Sequence, residues 1–193
     1  MTGSDPLVIA VAPNGARKTP ADHPGLPVTA DQLADTAATC QQAGAAMVHL
    51  HVRDAEGRHS LDPRHYARAI DAIRARVGDR LVIQATSESG GIYGPRAQLD
   101  AMRALRPEAV SLAVREAIAR AADEPAAAEF LGWAGANGVA VQYILYDAGD
   151  LARYRDLVAR GVIPGERHWL LFVLGSYARA RDADAREVLR FVG

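Results

Sequence analysis

The 193-residue sequence predicts an α/β fold of parallel strands joined by helical crossovers, and three observations carry that prediction. Short apolar, β-branched runs alternate with amphipathic helical stretches six times, the pattern of βαβ units rather than of hairpins. Successive strands lie roughly 30 residues apart, the length of one such unit. No Pro/Ser-rich linker interrupts the series, so a single domain over residues 1–193 is expected. Six units suit an open doubly wound sheet or most of an eight-unit barrel, and spacing alone does not choose between them.

The first strand is expected in Leu7-Val-Ile-Ala-Val-Ala-Pro13, buried on both faces. Pro20, Pro24 and Pro27 keep residues 14–28 irregular. Thr29 with Gln32 three residues on is a capping-box signature, which opens a helix to about Gln42 with a stop near Gly44. Residues 47–54 read as the second strand. Asp62-Pro63 starts a helix on which Tyr66, Ile70, Ile73 and Val77 recur at helical spacing before Gly78 ends it. Residues 81–85 are the third strand, followed by a small polar loop at 86–91 and a helix from Pro95 with Leu99, Met102 and Leu105 on one face. Strands at 109–114, 139–146 and 169–174 follow, with helices at 126–137, 150–160 and from Asp184 to Phe191.

Charge narrows the partners. Lys and Arg number 22 and Asp and Glu 23, for a net charge of -1, so neither a nucleic acid nor an anionic membrane is an expected partner. No basic segment precedes a long apolar one at the N-terminus and no run of about 18 apolar residues occurs. A soluble, cytoplasmic protein is the resulting expectation. The lone Cys40 has no intramolecular disulfide partner and reads as a small buried hydrophobe.

Functional groups of parallel α/β folds gather at the carboxyl ends of strands. Those ends carry Asn14 and Arg17, then His49, His51, Arg53 and Asp54, then Gln84, Thr86, Ser87 and Glu88, then Ser111, Arg115 and Glu116, then Gln142, Tyr146 and Asp147, then Ser176. In Met47-Val-His-Leu-His-Val-Arg-Asp54, alternation puts Met47, His49, His51 and Arg53 on one face and Val48, Leu50 and Val52 on the other. Two imidazoles about 7 Å apart along a strand can converge on one ion, and zinc suits imidazole nitrogen, with another divalent metal as the alternative. His23, His59, His65 and His168 lack such pairing and are expected at the surface or in loops. Arg53 either binds an anion from the inner face or pairs Asp54 or Glu56. Thr86 and Ser87 either cap a turn or, with Gly90-Gly91 allowing close approach, hold a carboxylate or phosphate oxygen. Ser111 is a packing residue or part of the same pocket. Glu88 and Glu116 are solvated charges unless one completes a metal shell. The turn Ala12-Pro-Asn-Gly-Ala-Arg17 lacks dinucleotide and P-loop spacings.

Five segments, in this order, resemble the β-keto acid cleavage enzymes, whose founding activity is 3-keto-5-aminohexanoate cleavage: Ala12-Pro-Asn-Gly-Ala-Arg17, Asp22-His-Pro-Gly-Leu-Pro-Val-Thr29, Gly44-Ala-Ala-Met-Val-His-Leu-His-Val-Arg-Asp54, Leu81-Val-Ile-Gln-Ala-Thr86 and Phe172-Val-Leu-Gly175. The resemblance covers essentially the whole chain. It implies a TIM-type (β/α)8 barrel, of which about six β/α units are present, binding a divalent metal, normally zinc, through His49 and His51 and a glutamate near the end of the barrel. It also implies the reaction: a β-keto acid condenses with acetyl-CoA, and cleavage gives acetoacetate and a new CoA thioester. Carried over, Thr86, Ser87 and Ser111 hold the substrate carboxylate or carbonyl, with Asn14 and Arg53 as further substrate-binding candidates. Arg17 and Glu116 are the candidates for a catalytic role.

Some relatives have an acidic residue where Arg17 stands, which points to a different substrate charge preference here. The third ligand of the family and its acidic neighbour would fall beyond Gly193, so the chain is expected to be incomplete at its C-terminus. A barrel lacking two strands exposes two edges, which favours association, and a homo-oligomer is expected. Two other readings stand beside this one: a metal hydrolase using the same histidines to activate water, and a non-catalytic metal- or ligand-binding barrel remnant.

Overall fold

The computed structural model describes residues 7–175 and 183–192, so Ser176 lies outside the described residues. Packing divides the chain into two units, one of Met1–Thr86 with Ala104–Ala109, the other of Ser87–Arg103 with Val110–Gly193. The first contains β1 Ala10–Val11, α1 Ala30–Gln42, β2 Met47–Leu50, β3 Val52–Arg53, β4 His59–Ser60, α2 Pro63–Val77 and β5 Val82–Thr86. The remaining elements fall mainly in the second: α3 Pro95–Leu105, β6 Ala109–Ala113, α4 Val114–Ala117, α5 Glu124–Ala136, β7 Ala140–Leu145, α6 Ala148–Ala159, β8 Trp169–Phe172 and α7 Leu189–Val192. Among the described residues no helix is long and apolar enough to cross a membrane.

In the first unit β1, β2 and β5 lie side by side and parallel, with Ala10 opposite Met47 and His49 opposite Gln84. The expected capping box forms at α1: the Gln32 amide donates to Thr29 Oγ1 at 3.2 Å and the Thr29 amide donates to Gln32 Oε1 at 3.0 Å. Asp62 caps α2 by accepting the Arg64 amide, and Gly78 ends it at a φ of 58°, a backbone that favours glycine. α1 buries Leu33, Ala34 and Ala37; on α2 the expected Tyr66, Ile73 and Val77 are buried together with Ala69, while Ile70 is half-buried. A phenol as buried as that of Tyr66 loses about 1–3 kcal/mol if its hydroxyl has no partner. It donates to Thr86 O at 2.9 Å, fixing the carboxyl end of β5 against α2. At the other end of β5, Glu108 pairs with Arg74 and accepts the Ile83 amide at 2.8 Å.

In the second unit β6, β7 and β8 are neighbours in that order, β7 and β8 parallel with Gln142 opposite Trp169. Leu112, Ile118, Phe130, Leu145 and Leu157 are fully or nearly fully buried. Asp147 caps α6 by accepting the Asp150 amide.

Four expectations need correction. The run at 7–13 is not a strand buried on both faces: only Ala10–Val11 pairs, and Leu7 and Val8 are 86% and 64% exposed. β1 ends its side of the strand order, with β2 as its one strand neighbour among the described residues. The 47–54 strand is two elements, because Val52 and Arg53 leave the parallel ladder to pair antiparallel with Ser60 and His59. Cys40 is half-buried and a free thiol rather than a core residue. The last helix begins as a 3-10 turn at Ala185–Val188 before α7.

Candidate functional site

The alternation read from the sequence brings His49 and His51 together. His49 ends up beside Gln84 on the neighbouring strand, and its Nδ1 lies 2.7 Å from Gln84 Oε1. An amide oxygen only accepts, so Nδ1 carries the proton and Nε2 keeps its lone pair. That lone pair faces His51 Nε2 at 3.1 Å, with the two rings inclined at 63°. His51 is 2% exposed, and burial, followed by the charges of His49, His59 and Arg53, pushes its pKa down to about 2. Burial also lowers the His49 pKa, against the raising effect of its bond to Gln84. Both imidazoles are therefore neutral at pH 7, the form a metal requires.

The separation fits a metal pair. Nitrogens 2.0–2.1 Å from a tetrahedral zinc stand about 3.3 Å apart, close to the 3.1 Å between these two. With one proton between them this geometry is a hydrogen bond donated by His51 to the lone pair of His49. Gln84 supplies the outer hydrogen bond that metal-binding histidines use to fix their tautomer. Among the described residues no third histidine, cysteine or carboxylate completes a metal-binding cluster.

His59, expected at the surface or in a loop, is 7% exposed on β4, with its ring centroid 5.7 Å from that of His51. The β3–β4 ribbon folds it back over the histidine strand. The ribbon's turn was legible in Asp54 and Gly57: Asp54 Oδ1 accepts the Glu56 and Arg58 amides, and Gly57 has a φ of 76°.

Asn14 and Arg53 anchor the loop after β1 to this strand. Asn14 is 5% exposed, and its Nδ2 donates to His51 O at 3.0 Å and to Pro27 O at 3.2 Å. Its Oδ1 is buried without a hydrogen-bond partner. The Arg53 guanidinium donates to the carbonyls of Ala16, Gly15 and Lys18, the last two at 2.5 and 3.0 Å. Neither Asp54 nor Glu56 takes it as an ion-pair partner; both pair with Arg58. Arg17, between these anchored carbonyls, is exposed and makes no ion pair among the described residues.

Thr86 is 1% exposed and, two residues beyond Gln84, lies on the same face of β5. In the second unit Ser87 and Ser111 are joined: the Ser87 amide and hydroxyl both donate to Ser111 O, at 3.1 and 2.9 Å. Glu116, on α4, accepts the Ser89 amide at 2.8 Å. Beside it, Arg115 binds Asp150 through Nε at 2.8 Å, pairs with Asp147 and lies 4.8 Å over the Tyr146 ring. Burial, then the Glu116 and Glu88 charges, pushes the Tyr146 phenol up to about 12. The Arg115 clamp was not read from the sequence, although the cap spacing of Asp147 and Asp150 was available as a signal.

Against known families, the model describing the beta-keto acid cleavage enzymes matches residues 6–192. The chain belongs to the β-keto acid cleavage enzyme family. Membership makes its alternating units part of a TIM-type (β/α) barrel, which decides between the two architectures the spacing left open. Among β-keto acid cleavage relatives, a 3-oxoadipate:acetyl-CoA acetyltransferase of Cupriavidus necator is 31% identical over 97% of this chain and 66% of its own length. A 3-keto-5-aminohexanoate cleavage enzyme of Fusobacterium nucleatum is 34% identical over 46% of this chain and 31% of its own. A 3,5-dioxohexanoate:acetyl-CoA acetone transferase of Paraburkholderia graminis is 40% identical over 36% of this chain and 23% of its own. The chain thus spans just under two thirds of the first relative's length.

Proposed function

We propose that this protein is a zinc-dependent β-keto acid cleavage enzyme that exchanges acyl groups with acetyl-CoA. The β-keto acid R-CO-CH2-COOH and acetyl-CoA would give acetoacetate and R-CO-SCoA, one carbon–carbon bond breaking as another forms and the thiol passing to the new acyl group. The observation that carries the reading is the buried, neutral His49–His51 pair with Nε2 atoms 3.1 Å apart and Gln84 fixing the tautomer of His49. A divalent ion held there supplies Lewis-acid stabilisation of the enolate-like charge that develops as the carbon–carbon bond breaks.

The chain's own residues orient the substrate. Thr86 shares the face of Gln84, and Thr86, Ser87 and Ser111 are assigned to the substrate carboxylate or carbonyl. The Ser87 hydroxyl turns from Ser111 O to donate to it, while the Ser87 amide keeps its bond to Ser111 O. Asn14 Oδ1, buried and without a partner, is ready to accept a hydrogen bond from a bound group. Arg53 anchors the loop after β1, and Arg17 presents a cation from that loop. 3-Oxoadipate, named in the Cupriavidus necator relative, carries a carboxylate at each end, and Arg17, with no ion pair among the described residues, suits a substrate of that charge.

Metal content after dialysis tests the central feature. Wild-type protein retains zinc, whereas His49→Ala and His51→Ala each lose it while keeping the far-ultraviolet spectrum of the fold. Full zinc retention in both variants makes these core histidines and removes the basis of the proposal.

A further inference from the structure

We infer that Glu116 is a positioning residue: it holds the turn at 87–91 so that Ser87 meets the substrate. This rests on the assignment of Ser87 to the β-keto acid. The turn has little stiffness of its own, because Gly90 and Gly91 both take positive φ, 57° and 81°, and glycine gives the backbone its widest freedom. Ser89 is its hub. The Ser89 carbonyl accepts the Ile92 and Tyr93 amides, each at 3.0 Å, and Ser89 Oγ accepts the Gly91 amide at 3.2 Å. Those bonds close the turn on itself and leave its place relative to β6 to be set from outside.

Two contacts bear on it. At one end Ser87 donates its amide and hydroxyl to Ser111 O. At the hub the Ser89 amide donates to Glu116 Oε2 at 2.8 Å. A charge-assisted bond to a half-buried carboxylate is about twice as strong as a neutral one. Glu116 is itself placed by the element it sits on, since α4 follows β6 directly and its neighbour Arg115 is clamped by Asp147 and Asp150. A carboxylate committed to a backbone amide is arranged to hold that amide, and its removal would let Ser87 and the glycine backbone drift from one fixed arrangement.

Two measurements on the intact, zinc-loaded protein separate this role from others. In hydrogen exchange, Glu116→Ala raises exchange of the peptide covering 87–93, whereas Glu116→Gln, which keeps an acceptor oxygen, stays near wild type. In steady-state kinetics with acetyl-CoA, Glu116→Ala raises KM for the β-keto acid roughly 10-fold while kcat falls less than about 3-fold, and Glu116→Gln restores most of the loss. Unchanged exchange in Glu116→Ala overturns the inference. So does a drop in kcat of about 10²-fold or more in Glu116→Gln with loss of one limb of the pH profile, which marks a general acid or base. Wild-type protein that forms no thioester defeats the functional assignment and the service of Ser87 with it, while the exchange comparison still reports whether Glu116 orders the turn.

Discussion

Gln84 decides which nitrogen His49 offers. Because Gln84 Oε1 accepts a hydrogen bond from His49 Nδ1–H, Nε2 is left with a lone pair toward His51. Replacing Gln84 with Leu, a similar volume without the acceptor, should weaken zinc affinity 10–100-fold, the usual effect of losing such an outer hydrogen bond. A chelator-competition titration measures it, and unchanged affinity would mean that the His49 tautomer is set elsewhere. Arg17 carries the second residue-level prediction. Its charge is exposed and makes no ion pair among the described residues, on a loop anchored by Asn14 and Arg53. Arg17→Glu should raise KM for a β-keto acid with a second carboxylate by about 10-fold or more, and raise it less for an uncharged one, since reversing a charge near an anion changes attraction to repulsion. Equal effects on both substrates would remove Arg17 from recognition.

Between elements, ion pairs report on pH. Glu124, at the start of α5, receives Arg153 of α6 at 3.2 Å and Arg160, at the C-cap of α6, at 2.7 Å, and these hydrogen bonds, Arg160's first, lower its pKa from 4.5 to about 2. A carboxylate whose pKa is depressed on folding adds stability above its unfolded pKa and loses it as pH falls through the folded one. The melting temperature should therefore decline between pH 4.5 and about 2, and Glu124→Gln should flatten that decline. At this scale the sequence spoke clearly where signals were local. Thr29 with Gln32, Asp62 with Pro63 and Gly78 marked helix ends that the structure reproduces. It was silent where the neighbour decides. The apolar residues 7–9 read as buried because apolarity reports a preference and not the strand that must cover it. The parallel ladder stops at Leu50, and beyond His51 the chain turns to a pairing between Arg53 and His59 that strand periodicity does not encode.

Across the whole chain, strand–helix alternation was legible from period and spacing, but barrel and open sheet share that alternation, and family membership decides between them. The histidine pair followed from parity. Its partner Gln84 did not, because a register between strands 35 residues apart is a tertiary fact. His49 and His51 would supply two of the three protein ligands that a catalytic zinc normally takes, beside one open position. The most direct measurement is mass-spectrometric detection of products from acetyl-CoA and a β-keto acid, before and after chelation. The account predicts acetoacetate and the new acyl-CoA in equal amounts, abolished by chelator and restored by zinc. Release of free CoA with no new thioester, or acyl exchange indifferent to chelation, would contradict it.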